Sequence, residues 1–156
     1  KKLSGIDDMI QLLKLRRFSI TDLREVYDLA CTELRERYSP DLFLNIHSYW
    51  PDGFIIAEES GKVLGFILGL NITKIEARIL MLVVRRDLRR KGLGTMLLNE
   101  FRSVCAVSGI RCISLEVRKS NLVAINLYKK LGFEISGEIS GYYSDGESAY
   151  KMQLFL

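Results

Sequence analysis

A single histidine, His47, and no grouping of Cys, His, Asp or Glu at ligand spacing leave nothing from which to build a metal centre, so none is expected. The three cysteines, Cys31, Cys105 and Cys112, are odd in number and form no Cys-x-x-Cys pair. That argues against a disulfide framework and a dithiol redox couple, and their apolar surroundings mark them as small reduced core residues. No apolar run approaches the roughly 20 residues that a membrane helix needs. The opening Lys1-Lys2-Leu3-Ser4-Gly5 has none of the apolar character of a secretory signal. The expected setting is the cytoplasm, with no membrane partner. Repeats, low-complexity tracts and Pro/Gly/Ser-rich linkers are missing too, so the expectation is one domain over residues 1–156.

What is present suits a globular chain with a sizeable core: 48% of its residues are apolar and 27% charged. The net charge of +4 is modest but uneven, because five of the seven residues from 85 to 91 are basic. Such a cluster suits a phosphate-bearing ligand, and by charge alone it suits nucleic acid equally. No zinc-finger, RNA-recognition or helix-turn-helix pattern accompanies it.

Periodicity predicts a strand over 15–20, then a helix over about 22–37 capped by Thr21 and Asp22, with Leu23, Val26, Tyr27, Ala30 and Leu34 at helical spacing. Pro40 opens a second helix that carries Leu42, Phe43 and Ile46. Strands are predicted over 54–59, 63–70 and 75–84, a helix from Gly94 to about Gly109, and a strand around Ile113, Leu115 and Val117. A helix over 121–131 stops at Gly132, and a hairpin pairs 133–139 with 148–155. The three middle strands make an antiparallel meander, and the strand–helix–strand unit forces its two strands parallel. An α/β fold follows: a mixed, mostly antiparallel sheet of about seven strands with helices on both faces.

The most informative segment is Arg89-Arg90-Lys91-Gly92-Leu93-Gly94-Thr95, placed between an apolar strand and a helix. Glycines that let successive N–H groups point inward, a helix N-terminus and a basic rim make an anion cradle of pyrophosphate size. The spacing fits neither the dinucleotide fingerprint nor the P-loop. On its own it also reads as an ordinary basic loop with a glycine turn.

The pattern Arg/Gln-x-x-Gly-x-Gly/Ala resembles the acetyl-CoA signature of the GNAT acyltransferases. A second stretch makes the resemblance specific: Leu115-Glu116-Val117-Arg118, then Asn121, Ala124, Leu127-Tyr128 and Leu131-Gly132-Phe133. Together with Leu34-Arg35-Glu36-Arg37-Tyr38 and the segment from Tyr142 to Met152, it is similar to the N-terminal protein acetyltransferases that modify ribosomal or nascent-chain α-amines. The likeness covers about residues 16–155 and leaves residues 1–15 as an extension outside it.

The resemblance implies the GNAT fold and transfer of acetyl from acetyl-CoA to the α-amine of a protein or peptide, by direct attack in a ternary complex. It implies protein N-termini as partners, with ribosomes or nascent chains as their source, and no need of nucleic acid. Leu82, Val83 and Val84 would hold the acetyl and pantetheine arm. The turn from Arg89 to Thr95 would hold the pyrophosphate, and Asn121 and Tyr128 would line the cofactor. Glu116 is the expected base, Glu36 the supporting or alternate one, and Tyr128 the donor to the departing sulfur. Glu36, Tyr38, Tyr142 and Tyr143 would wall the peptide groove.

Other readings of the same residues stay open. Asn121 suits an N-cap, Tyr128 a core aromatic, and Glu116 a strand-end charge paired with a neighbour such as Arg118. Glu36 by composition is a solvated charge at a helix end. A GNAT enzyme acting on lysine side chains or a small amine is the alternative at the level of function.

Overall fold

The computed structural model describes residues 12–34, 36–89 and 91–156. Arg90, expected in the anion cradle, therefore lies outside the described residues, as does most of the N-terminal extension. In chain order the elements are β1 (Leu13–Arg17), α1 (Leu23–Glu33), α2 (Pro40–Tyr49), β2 (Phe54–Glu59), β3 (Lys62–Asn71) and β4 (Glu76–Val84). Then follow α3 (Leu93–Val107), β5 (Cys112–Arg118), α4 (Leu122–Lys130), β6 (Glu134–Ile139) and β7 (Ala149–Phe155). The described residues form one sheet of seven strands in the order β1-β2-β3-β4-β5-β7-β6. Every neighbouring pair is antiparallel except β4 with β5.

Alternation along β2 shows how the sheet is covered. Phe54 and Ile56 enter the core beneath α1 and α2, beside Val26, Ala30, Phe43 and Ile46. Ile55 and Ala57 enter the opposite core, with Leu97 and Phe101 of α3 and Ile125 of α4. A strand buried on both faces must be apolar at every position, which is why this stretch lacks a polar alternation. Close contact between α3 and the sheet depends on Gly69, where a Cβ would stand 2.3 Å from the Phe101 ring.

Several boundaries differ from the sequence expectation. β1 lies at Leu13–Arg17 rather than 15–20. Asp22 does not cap α1 with its side chain; it accepts two bonds from Arg16, at 2.7 and 2.8 Å, and one from the Ser19 N–H. Helix α1 ends at Glu33, four residues short of expectation, because Leu34 is already extended and Glu36 is drawn away to partners described below. Cys31 is exposed rather than in the core, whereas Cys105 is buried. Among the described residues no helix is long and apolar enough to cross a membrane.

Candidate active site

The parallel pairing of β4 with β5 runs from Glu76 opposite Cys112 to Ile79 opposite Leu115 and then stops. Beyond that point β4 follows β3 to Val84, while β5 follows β7 to Arg118. A bulge in β4 marks the divergence: Leu68 faces Met81 and Gly69 faces Ile79, so Leu80 is an extra residue. An inserted residue bends a strand and reverses its facing thereafter. Ala77 and Ile79 accordingly belong to the core under α3 and α4, whereas Met81 and Val83 belong to the other. The result is a cleft in the middle of the sheet. One wall is the backbone of Leu80, Leu82, Val83 and Val84, without strand partners on that side among the described residues.

At the end of β4 the chain reaches the glycine turn. Gly92 has φ +82°, the left-handed region, and caps α3 with no side chain bonded to the helix's first N–H groups. Among the described residues, its chain neighbours aside, a Cβ there would meet nothing within 4 Å, so these residues leave the space over the turn open. The N–H groups of Leu93, Gly94 and Thr95 thus face an open cradle with the positive end of a fifteen-residue helix behind them. Gly94 brings the turn against α4, since a Cβ on it would lie 3.4 Å from Leu127.

The basic rim is smaller than the sequence suggests. Arg89 is bonded to Glu33 of α1 at 2.6 Å, Arg86 lies 3.7 Å from the same carboxylate, and Arg85 closes onto Asp87 at 2.8 Å. Glu33 is itself withdrawn from solvent, so its charge demands such cations. Lys91 is the exposed cation of the turn with no carboxylate partner among the described residues.

The β5 wall ends in Glu116 and Arg118. Glu116, whose side chain is 12% exposed, is paired with Arg78 of β4 at 2.8 Å, not with Arg118. Arg78 also donates to the Tyr142 hydroxyl at 2.7 Å. Arg118 instead gathers Glu36 at 3.1 Å, Asp145 at 2.8 Å and Glu147 at 3.3 Å, and its guanidinium lies 4.0 Å from the centre of the Tyr143 ring. Glu36 accepts two further bonds from Ser144, one from its hydroxyl at 2.7 Å and one from its backbone N–H at 3.3 Å. The loop after α1 is thereby fastened to the β6–β7 hairpin tip across the site.

Four tyrosines stand around these charges. Burial pushes the Tyr143 hydroxyl up to about 12, with Arg118 opposing and Tyr142, Glu116 and Tyr38 adding to the rise. Tyr38 is raised by burial and by Glu36. Tyr128 of α4 is raised further, by burial and then by its proximity to Tyr143. Its ring packs edge-on to Phe133 at 5.6 Å, so the core-aromatic reading is correct as far as packing goes. Its hydroxyl has no hydrogen-bond partner among the described residues, which leaves the donor available. Asn121 caps α4, accepting from the Ala124 N–H at 3.1 Å, and keeps its amide NH₂ for another partner.

Sequence reading missed Arg78 and Ser144, and it named Arg118 only as a partner for Glu116 rather than for Glu36, Asp145 and Glu147. A signal for the first existed: an arginine within a largely apolar, half-buried strand needs a partner.

Comparison with known proteins bears on the whole arrangement. The pattern of the acetyltransferase (GNAT) family matches residues 20–133. A Sulfurisphaera tokodaii protein named N-alpha-acetyltransferase is 32% identical over 151 residues, covering 89% of this chain and 90% of the relative. The crystal structure of Ard1 from Thermoplasma volcanium superposes with a TM-score of 0.90 at 39% identity, over 93% of this chain and 98% of that one. The ribosomal-protein-S18-alanine N-acetyltransferase of Escherichia coli gives a TM-score of 0.80 at 28% identity, over 92% and 93% of the two chains.

Proposed function

This chain belongs to the acetyltransferase (GNAT) family, and from that premise we propose that it transfers acetyl from acetyl-CoA to the α-amine of a protein or peptide. The observation that carries the reading is the cleft where β4 leaves β5, with an open anion cradle at the end of one strand and Glu116 on the other. Names of the relatives support the α-amine as acceptor, and the E. coli neighbour's name suggests ribosomal proteins as one substrate class. The cytoplasm is the compartment in which such substrates are made.

The residues suit this cosubstrate. Uncapped N–H groups of Leu93, Gly94 and Thr95, with Gly92 and Lys91, take the pyrophosphate, and Arg90 belongs to the same turn. Asn121 offers its amide NH₂ to the arm. The backbone at Leu82, Val83 and Val84, paired with β3 but open on the β5 side, receives the amides of an extended chain as a strand would, and an N–H there meets the thioester oxygen as it gains negative charge. Acetyl-CoA contributes the activated acetyl group.

Glu116 takes the proton that the amine sheds, directly or through water. An α-amine needs little help, because its ordinary pKa is about 8 against about 10.4 for lysine. Tyr128, held protonated by its burial, gives a proton to the sulfur as the carbon–sulfur bond breaks. Glu36 has its oxygens occupied by Arg118 and Ser144, so it frames the groove with Tyr38, Tyr142 and Tyr143 rather than acting as the base.

The test is thiol release from acetyl-CoA with a peptide offered in two forms. A free N-terminus should support turnover and the same peptide with a blocked N-terminus should not. Equal turnover on both forms would refute the assignment.

A further inference from the structure

Beneath the mechanism lies a residue that sequence reading did not single out. Arg78 sits on β4 opposite Ser114, one pair before the parallel ladder ends. Glu116 lies two residues beyond Ser114 on β5, on the same face of the sheet. The guanidinium reaches forward along the cleft and uses two different nitrogens. Nε donates to Glu116 Oε2 at 2.8 Å, and Nη2 donates to the Tyr142 hydroxyl at 2.7 Å. Tyr142 belongs to the β6–β7 hairpin, and β5 and β7 stand between that hairpin's outer strand and β4. One side chain thus ties the floor of the cleft to its far wall.

Resting on the acetyl-transfer reading, we infer that Arg78 is a positioning residue. It fixes the Glu116 carboxylate in one orientation and holds the hairpin over the peptide through Tyr142. Glu116 Oε1 accepts no hydrogen bond among the described residues, so the pairing occupies one oxygen and leaves the other for the amine or a water. A carboxylate without this anchor would sample several rotamers, and few would present an oxygen to the amine. The rigid fork of arginine suits the task, because it sets both partners at a fixed angle in one plane. A lysine has one charged nitrogen on a flexible stem and cannot reproduce that plane. The pair is also partly withdrawn from water, with side chains 33% and 12% exposed, so it is screened less than a surface pair.

The inference predicts a divided kinetic signature. Through Glu116, loss of Arg78 lowers kcat. Through Tyr142, it raises the peptide KM. The acetyl-CoA KM stays unchanged, because the cradle around Gly92 lies at the other end of β4.

Double-mutant cycles test both arms on one N-terminal peptide. Arg78→Met should lower kcat about tenfold, within the range of coupling between contacting residues. In the Glu116→Gln background the same change should lower kcat less than twofold further. Tyr142→Phe should raise the peptide KM, and adding Arg78→Met to it should raise that KM no further. Arg78→Lys keeps the charge and most of the stem, and should restore kcat only in part. If Arg78→Met melts below the assay temperature, the same cycles are run with Arg78→Lys. Effects of Arg78 and Glu116 that multiply independently, or a kcat within twofold of wild type in the folded variant, would overturn the inference. A wild-type chain that binds acetyl-CoA yet acetylates no free N-terminus would overturn the underlying functional reading as well. An active wild type with independent effects overturns the Arg78 assignment alone.

Discussion

Changing Tyr128 to Phe removes one oxygen atom from a side chain that is 8% exposed. The ring contact with Phe133 at 5.6 Å survives the change, because it needs only the aromatic ring. No hydrogen bond is lost within the described residues, so folding stability should stay within about 1 kcal/mol of wild type. The chemistry should not be spared. A positioned proton donor contributes typically about 10²–10⁴ in rate, which corresponds to about 2.7–5.4 kcal/mol in the barrier. Burial holds the phenol above its ordinary pKa, so it is a protonated donor throughout the usual assay range. The fractional loss of kcat should therefore be nearly the same from about pH 6 to about pH 9. Steady-state thiol release at saturating peptide, calorimetry with acetyl-CoA and thermal melting together separate the possibilities. The expected outcome is a kcat reduced at least about a hundredfold, with acetyl-CoA affinity and melting temperature unchanged. A kcat within twofold of wild type would return Tyr128 to a purely packing role.

Other perturbations follow from the same geometry. Gly92→Asn and Gly92→Asp differ in one charge at a left-handed position that Asn tolerates; the Asp variant should bind acetyl-CoA about tenfold more weakly than the Asn variant by calorimetry. Glu116→Gln should lower kcat most at low pH, where the amine is mostly protonated, and higher pH should recover part of the rate. Glu36→Gln loosens the bonds to Arg118 and Ser144, so a pH–rate comparison should show a higher peptide KM with little pH dependence. Asp22 is held below its ordinary pKa of 3.8, chiefly by its bonds from Arg16 with burial opposing. Its contribution is complete above that value and is lost as pH falls through the lower folded-state pKa. Asp22→Asn should cost about 2 kcal/mol in denaturant unfolding near pH 7, and the gap should narrow below pH 3.8.

The element order was readable because most of it is locally encoded. Pro40 at the first turn of α2, the glycine turn before α3 and the alternation in β5 each act over a few residues. Helix α1 was read too long because Arg35, Glu36 and Arg37 are acceptable helix residues. What draws the chain out of the helix is a set of partners more than 80 positions away, Arg118 and Ser144. The bulge at Leu80 was hidden for a related reason. Residues 79–84 are apolar throughout, so a reversal of facing leaves no trace in their polarity. Register between β4 and β5 joins positions 36 apart and decides which cation meets Glu116. Without it Arg118, two residues away, was the natural partner to name, whereas Arg78 is the actual one. The pairing of Arg89 with Glu33 was hidden likewise, since it depends on how α1 lies along the sheet.

The central claim is that the cleft between β4 and β5 acetylates an α-amine. It is tested most directly with one peptide that carries both a free N-terminus and an internal lysine, incubated with acetyl-CoA and the wild-type chain. Fragmentation mass spectrometry then locates the added group. The account predicts acetyl on the α-nitrogen, with the lysine side chain unmodified, and loss of the product with Glu116→Gln at low pH. Acetyl on the lysine with the N-terminus untouched, or no transfer by a chain that binds acetyl-CoA, would contradict it.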